Sequence, residues 1–319
     1  MRYRVLVTDR AWPDLDVERQ ILARADAEVI EAENADESTL LVLAPDVDAI
    51  AVCWAKLTPA IVNAAKRCRV ISRLGIGLDN IPVELATSLG IPVTNVPDYC
   101  VDEVAEHTLA VLLSVARNLP FFHHRTKSGE YALRAAPPMH RLTGRTLGLV
   151  GLGRIGRAVA TRARALGLNV LATTGSGTDG GTGCRMVSLQ ELLAESDWVS
   201  LHLPLSVDSR HLFRLREFET MRRTAWIINT SRGGLIDHAE LWTALQRNLI
   251  AGAALDVFDP EPPDLSQPLF RDERVLVTPH SAFLSAESLL ELRTRTANQI
   301  AAVLQGERPE CVVNPEVFS

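Results

Sequence analysis

The feature that most restricts the fold is a glycine-rich turn that lies between a strand pattern and a helix pattern. Gly151, Gly153 and Gly156 stand in the order G-x-G-x-x-G, after an apolar run over residues 146–150 and before a helical pattern over residues 154–166. In that context the first glycine allows a tight turn, the second lets a pyrophosphate approach the backbone, and the third lets the helix pack on the sheet. N–H groups at the start of such a helix bind the anion. The turn therefore predicts a dinucleotide site, with an ordinary glycine turn as the alternative.

Strand and helix patterns alternate along the whole chain, which predicts α/β architecture with parallel sheets. A chain of 319 residues is about the right length for two domains. We predict a flavodoxin-like substrate domain over residues 1–100 and 286–319, and a Rossmann NAD(P)-binding domain over residues 101–285. Both would be doubly wound, and the chain would leave the first domain, complete the second and then return. The second domain would open with a long helix over residues 101–117, followed by a polar, extended arm over residues 118–143.

Composition excludes several classes of function. The net charge of −6 and the pI near 5.8 argue against nucleic-acid binding, which needs a basic face. The five cysteines are scattered and form no C-x-x-C pair, so we expect a reducing compartment and no metal site. The sequence shows neither a signal-peptide pattern nor an apolar run of membrane-spanning length. We therefore predict a cytoplasmic protein that binds no membrane.

Three side chains with complementary chemistry each follow an apolar, strand-like run. They are Arg232, Glu261 and His280. In an open parallel sheet, ligands bind beyond the carboxyl ends of the strands. A guanidinium, a carboxylate and an imidazole at that edge suit the transfer of a hydride and a proton to or from a carboxylate-bearing substrate. The alternatives are a structural histidine and a helix-capping arginine, and spacing alone does not favour Glu261 over Asp259.

The position expected to hold the ribose-binding acid is occupied by Thr174. An Asp or Glu there normally binds the ribose 2′-hydroxyl of NAD. Without it the repulsion of a 2′-phosphate is removed, yet the nearest downstream arginine is Arg185. Ser176, Thr178 and the neighbouring glycine amides are able to hydrogen-bond either form of the ribose. We predict NAD as the cofactor, with NADP also possible.

Several motifs in order make the chain similar to one family. They are G-L-G-R-I-G at 151–156, N-T-S-R-G-G-L-I-D at 229–237, G-A-A-L-D-V-F at 252–258, T-P-H at 278–280, L-G-I-G-L-D-N at 74–80 and G-I-P-V-T-N-V-P at 90–97. The chain resembles the D-isomer-specific 2-hydroxyacid dehydrogenases. The nearest branch is the one that includes phosphoglycerate-dehydrogenase-like proteins and the C-terminal-binding-protein corepressors.

The resemblance implies an oxidoreductase that moves a hydride between NAD(P) and C2 of a small D-2-hydroxy or 2-keto acid. It gives His280 the role of acid/base, Glu261 that of its partner and Arg232 that of substrate and carbonyl ligand. It also implies a homodimer in which the arm reaches the partner subunit. The implied cofactor contacts are Thr108, Gly151, Gly153, Arg154, Ile155, Gly156, Thr174, Leu203, Pro204, Thr230, Ser231, Arg232, Asp256, His280 and Ala282. The implied substrate contacts are Trp54, Leu74, Gly75, Ile76, Gly77 and Arg232.

One departure from the family pattern concerns the substrate. The phosphoglycerate-acting relatives carry an Arg-Ser pair in the second loop of the first domain, and we align Val52 with that arginine. A phosphate would lose its bidentate partner there, although Lys56 is nearby in sequence. Trp54 instead favours a small, unphosphorylated acid. The alternative function is an NAD(H)-sensing, corepressor-like binding protein, because those relatives keep the same three side chains.

Overall fold

The structure is a computed structural model and describes residues 2–319. The chain divides into two compact units. The first contains the residues up to Tyr99 together with Ser285–Ser319, and the second contains Cys100–Leu284. Each crossing lies one residue from the predicted boundary. Among the described residues, no helix is both long and apolar enough to cross a membrane.

The first unit is a parallel sheet with helices packed around it. Its strands are β1 (Tyr3–Val7), β2 (Ala27–Glu31), β3 (Ala49–Val52), β4 (Ile71–Arg73) and β5 (Val93–Thr94). Its helices are α1 (Asp16–Ala23), α2 (Glu37–Leu43), α3 (Pro59–Ala64), α4 (Val83–Ser88) and a C-terminal helix (Ala286–Gln305), with 3-10 turns at Ala44–Asp46 and Pro315–Phe318. The strand order β2-β1-β3-β4-β5 is that of flavodoxin-like folds. The central strand β3 is buried throughout, as expected where helices cover both faces of a sheet.

The second unit is a larger parallel sheet. Its helices are α5 (Val101–Ala116), α6 (Leu119–Lys127), α7 (Arg154–Ala165), α8 (Leu189–Glu195), α9 (Leu215–Thr220), α10 (His238–Gln246) and α11 (Pro268–Arg271), with 3-10 turns at Leu133–Ala135 and Gly233–Leu235. Its strands are β6 (Thr146–Val150), β7 (Asn169–Thr173), β8 (Arg185–Met186), β9 (Trp198–Leu201), β10 (Trp226–Asn229), β11 (Gly252–Leu255) and β12 (Val275–Val277). The order β12-β11-β10-β9-β6-β7-β8 is the Rossmann order with one additional strand. The predicted fold class is confirmed.

The prediction of an extended arm after α5 is wrong for its first part. Residues 119–127 form helix α6, and Pro120 lies in its first turn, where proline is compatible with a helix. The rest of the arm contains only a short 3-10 turn. Large apolar side chains are exposed along the whole stretch. They are Leu119, Tyr131, Leu133 and Met139.

Candidate active site

The glycines of the fingerprint fulfil separate steric requirements. Gly151 has a φ of +100°, and a Cβ atom there would lie 2.3 Å from the carbonyl oxygen of His202. A Cβ at Gly156 would lie 2.5 Å from the carbonyl oxygen of Gly151. At Gly153, in contrast, a Cβ would meet no described atom within 4 Å. The turn is therefore closed against the sheet and open at its outer face.

Helix α7 begins directly after this turn. Its N-cap is Gly153, and no side chain among the described residues caps its first turn. The N–H groups of that turn are thus available to an anion, and they coincide with the open space in front of Gly153. Strands β6 and β9 are neighbours on either side of the point where the strand order reverses, which is where dinucleotides bind in such sheets. The residues present therefore fit the pyrophosphate of a dinucleotide.

His202 lies directly behind the turn, after the end of β9. Its Nε2 is 3.0 Å from Ser200 Oγ. Its Nδ1 is shielded from solvent and has no hydrogen-bond partner among the described residues, although the residue as a whole is only half-buried. Burial lowers the pKa of His202 to about 4. The imidazole is therefore neutral at physiological pH.

The turn that carries Arg232 is held by its own polar side chains. The Nδ2 of Asn229 donates to the carbonyl of Arg232 at 2.9 Å, and the N–H of Ser231 donates to Asn229 Oδ1 at 3.1 Å. The hydroxyl of Ser231 donates to the carbonyl of Leu201 at 2.7 Å, which links β10 to β9. A Cβ at Gly233 would lie 1.9 Å from the backbone of Phe258, so the turn packs tightly against the next strand end.

Glu261 and His280 are in direct contact. His280 Nδ1 is 2.7 Å from Glu261 Oε2, while Glu261 Oε1 accepts the N–H of Phe258 at 2.8 Å. Burial raises the pKa of Glu261, but hydrogen bonds from His280 and Phe258 and the charges of His280 and Arg232 outweigh it and lower the pKa. The competing carboxylate Asp259 is instead paired with Arg210 at 2.6 Å. The structure thus brings Glu261, and not Asp259, to the imidazole.

His280 has an unusual backbone conformation with a φ of +52°. Such left-handed conformations are uncommon for residues other than glycine and tend to cluster at functional sites. The His280 N–H donates to the carbonyl of Asp256 at 2.8 Å. The strained residue is therefore tied to the end of β11.

The predicted cofactor contacts of the second unit fall into two groups. Those that are exposed or partly exposed are Gly153, Arg154, Ile155, Thr174, Leu203, Pro204, Ser231, Arg232 and His280, and those that are buried are Thr108, Gly151, Gly156, Thr230, Asp256 and Ala282. Thr108 donates its hydroxyl to the carbonyl of Val104 at 2.7 Å and lies 2.9 Å from Thr230 Oγ1. The hydroxyl of Thr108 is therefore already hydrogen-bonded within the second unit.

The loop after β7 differs from the fingerprint turn. Its hydroxyls form a chain, with 3.1 Å from Thr174 Oγ1 to Ser176 Oγ and 3.1 Å from there to Thr178 Oγ1. The side chain of Arg157 lies against this loop, since a Cβ at Gly180 would be 3.4 Å from its Cδ. Sequence reasoning looked for an arginine only downstream and missed Arg157. The signal was its place one residue beyond the last glycine of the fingerprint, on the helix that faces the loop.

In the first unit, a partly buried carboxylate organises the loop that contains Trp54. Asp9 accepts the N–H groups of Cys53, Trp54 and Ala55 at 3.0, 2.6 and 3.1 Å. The side chain of Trp54 remains 40% exposed. Burial raises the pKa of Cys53 to about 12, so its thiol stays protonated. Asp9 was missed by sequence reasoning, although its place just after β1 was a usable signal.

The glycine loop after β4 rests on a buried guanidinium. Arg73 donates to the carbonyls of Leu74 at 2.8 Å, Gly77 at 2.9 Å and Val52 at 3.2 Å. Gly75 has a φ of +153°, and a Cβ there would lie 3.1 Å from the guanidinium carbon. Arg73 thus turns the carbonyls of this loop inward. Like Arg157 and Asp9, it was missed by sequence reasoning.

Comparisons with known proteins agree with the dinucleotide site described above. Residues 109–282 match the sequence profile of the D-isomer specific 2-hydroxyacid dehydrogenase, NAD binding domain. The chain is 36% identical over 328 residues to a glyoxylate reductase of Aeropyrum pernix, covering 99% of this chain and 97% of the relative. It is 37% identical over 316 residues to a D-3-phosphoglycerate dehydrogenase of Methanocaldococcus jannaschii, but spans only 59% of that protein's length.

A solved structure shows the same likeness in three dimensions. It is an NADPH-dependent glyoxylate/hydroxypyruvate reductase from Sinorhizobium meliloti in complex with NADP and malonate. The two share 30% sequence identity with a TM-score of 0.86, covering 98% of this chain and 97% of that one. The profile, the relatives and the dinucleotide turn agree with one another. The chain belongs to the D-isomer-specific 2-hydroxyacid dehydrogenase family of NAD(P)-dependent oxidoreductases.

Proposed function

We propose that this protein interconverts a small 2-keto acid and the corresponding D-2-hydroxy acid, with His280 as the acid/base. The observation that carries the proposal is the 2.7 Å contact between His280 Nδ1 and Glu261 Oε2. When bound, the nicotinamide cofactor supplies or accepts the hydride at C2. The chain must then provide a proton donor for the carbonyl oxygen, a ligand for the carboxylate and a fixed geometry.

The Glu261 contact sets the role of each ring nitrogen of His280. Because its pKa is lowered, Glu261 is an anion at neutral pH and favours a proton on Nδ1. The opposite nitrogen, Nε2, is then the one that gives a proton to the carbonyl oxygen during reduction and takes it back during oxidation. Imidazole suits this exchange because its ordinary pKa is about 6.5. Arg232 offers a planar fork for the carboxylate and the carbonyl oxygen.

We propose NAD as the cofactor, with measurable use of NADP. Thr174 supplies no carboxylate to bind the 2′-hydroxyl or to repel a 2′-phosphate. The hydroxyl chain of Thr174, Ser176 and Thr178 can donate to either form of the ribose. Arg157, whose side chain lies along Gly180, adds a positive charge beside the same loop. These contacts support weak discrimination between the two cofactors.

The substrate that we propose is small and unphosphorylated, such as glyoxylate or hydroxypyruvate. Val52 stands where the phosphoglycerate-acting relatives have an arginine, and it offers no charge. The N–H groups of residues 53–55 are already donated to Asp9, so they add no donors for a second anion. A phosphate without paired donors is heavily penalised. Leu74, Gly75, Ile76 and Gly77, with Trp54, remain our proposed substrate contacts in the first unit.

The test is a panel of 2-keto acids followed at the absorbance of the reduced nicotinamide, repeated for His280→Ala. We expect turnover of the small acids, a preference for hydroxypyruvate over 3-phosphohydroxypyruvate, and a loss of kcat of roughly 10²–10⁴-fold in the variant. His123→Ala on the exposed helix α6 is the matched control. Near-normal turnover by His280→Ala would contradict the assignment of His280 as the acid/base. Tight NADH binding without turnover of any acid would favour the cofactor-sensing alternative.

We also propose a homodimer in a cytoplasmic setting. The dimer is supported by the apolar side chains that stay exposed along α6 and the arm, above all Tyr131 and Leu133 at 91% and 79% exposure. A second copy would shield this surface from water. Light scattering at micromolar concentration measures the assembly directly, and a monomer there would contradict the proposal.

A further inference from the structure

The segment that carries His280 is wrapped around one buried carboxylate. Asp256 is 1% exposed. Its Oδ1 accepts the hydroxyl of Thr278 at 2.5 Å and the N–H of Ser281 at 2.9 Å, and its Oδ2 accepts the N–H of Ala282 at 2.9 Å. Its backbone carbonyl accepts the N–H of His280 at 2.8 Å. One residue therefore fixes the chain on both sides of the proposed proton donor.

A second histidine reaches this carboxylate from helix α5. His107 Nε2 lies 3.1 Å from Thr278 Oγ1 and 3.6 Å from Asp256 Oδ1. Its side chain is 21% exposed. His107 therefore joins the helix to the His280 segment through a single hydroxyl group.

The donor and the acceptor of each hydrogen bond from His107 through Thr278 to Asp256 can be assigned by counting protons. Both oxygens of Asp256 accept backbone N–H groups, and Asp256 acts only as an acceptor in these contacts. The hydroxyl of Thr278 has only one proton, and it is donated to Asp256. At the 3.1 Å contact the oxygen of Thr278 must therefore accept. His107 Nε2 carries the proton and donates it to that oxygen.

We propose that His107 is a positioning residue for catalysis, acting on His280 through Thr278 and Asp256. The backbone of His280 lies in the left-handed region, and such a conformation persists only where the surroundings determine it fully. The donor on His107 orients the Thr278 hydroxyl towards Asp256, and Asp256 in turn holds residues 280–282. The proposal rests on the assignment of His280 as acid/base.

The first test compares two replacements of His107. His107→Leu removes the donor, and a small displacement of His280 should lower kcat by about 10-fold, with smaller changes in substrate KM and in the Kd of NADH. His107→Gln keeps an N–H donor at similar reach and should recover most of kcat. Glu106→Leu, at an exposed position of helix α5, serves as the control for a leucine on the same helix. Equal impairment of the Leu and Gln variants, or a wild-type kcat in His107→Leu, would overturn the proposal.

A double-mutant cycle tests the route of the effect. Thr278→Val removes the connecting hydroxyl, whereas Thr278→Ser keeps it. If His107 acts through Thr278, adding His107→Leu to Thr278→Val should change kcat by no more than about two-fold. Effects that multiply fully would show that His107 acts by another route, and would overturn the proposal.

The assignment of His280 is tested separately. If His280→Ala is inactive while His107→Leu is unaffected, only the role of His107 fails. If His280→Ala keeps near-normal turnover, the proposed acid/base fails whatever the His107 variants do. Melting temperatures and NADH binding, measured for all variants, separate a loss of positioning from a loss of folding.

Discussion

Two loops of the second unit contain several glycines, and the structural role of the glycines differs between the two loops. In the turn after β6, an added Cβ at Gly151 or Gly156 would collide with backbone oxygens at 2.3 and 2.5 Å. In the loop after β7, an added Cβ at Gly175, Gly177 or Gly181 would meet no described atom within 4 Å. The first loop requires its glycines for packing, whereas in the second no packing excludes a side chain and glycine is favoured only by the backbone, with φ values of +68° at Gly177 and +80° at Gly181.

The difference separates two parts of cofactor recognition. The tight turn presents a fixed set of N–H groups, and every nicotinamide dinucleotide has the pyrophosphate that they suit. The loose loop would meet the ribose 2′ position, where NAD and NADP differ. It offers hydroxyls and a nearby guanidinium, with no rigid acid. From this comparison we expect a pyrophosphate site that serves both cofactors and a weak choice between them.

The largest expected effect is that of a methyl group in the tight turn. Gly151→Ala would force a positive φ on alanine and a collision with the carbonyl of His202. We expect the free energy of unfolding to fall by about 3 kcal/mol or more. We also expect the affinity for NADH to fall. Gly175→Ala in the loose loop is the matched control and should change stability by less than about 1 kcal/mol. Urea unfolding and NADH titration measure both, and equal effects at the two sites would break the comparison.

The next effect is a pH dependence of stability that comes from His202, directly behind the tight turn. The unfolded chain protonates His202 near its ordinary value of 6.5, whereas the folded chain does so only near a pKa of about 4. Protons therefore favour the unfolded chain as pH falls from 6.5 to 4, and the loss of stability levels off below that range. The full loss should be about 3 kcal/mol.

His202→Gln cannot titrate and isolates this contribution. Urea unfolding at pH 7 and at pH 4 should show a smaller loss in the variant than in the natural chain. Identical losses would indicate that the ring is hydrated in solution, and that the space behind Gly151 is less closed than described.

The smallest expected effect concerns the loop after β7, which contains Thr174. Thr174→Asp should raise the preference for NAD over NADP by about 10-fold, or about 1.4 kcal/mol, because the carboxylate binds the 2′-hydroxyl and repels a 2′-phosphate. Kd values for NADH and NADPH give the ratio without relying on turnover. If the natural chain already rejects NADPH by more than about 10³-fold, the loop discriminates by some means other than residue 174.

Much of this unit could be predicted because its signals are local. The fingerprint, the flanking strand and the following helix occur in one short stretch, and strand ends bring Arg232, Glu261 and His280 towards one edge. Spacing alone could not separate Glu261 from Asp259. The separation comes from tertiary contacts, since Arg210 holds Asp259 while His280 holds Glu261.

The features that the sequence does not reveal depend on tertiary contacts or on position in a sheet. Strand β2 shows no clear apolar run in the sequence, because it lies at the edge of its sheet and contains Glu28 and Glu31. The contact between His107 and Thr278 spans 171 residues. The contact of Arg157 with Gly180 depends on how a loop folds back over a helix. No periodicity in the sequence encodes contacts of this kind.

The discontinuous first unit has a consequence for how the chain matures. In that unit Arg293 donates to both oxygens of the buried Glu18, at 2.9 and 2.8 Å, across 275 positions of sequence. On the ribosome, the whole of the second unit is made before Arg293 exists. Until then Glu18 has no guanidinium partner, and helix α1 lacks the C-terminal helix that packs against it. We therefore expect the second unit to reach its native state first, reversing the usual N-to-C order of domain maturation. Limited proteolysis of nascent chains stalled before Ser285 should find the first unit cleavable and the second protected.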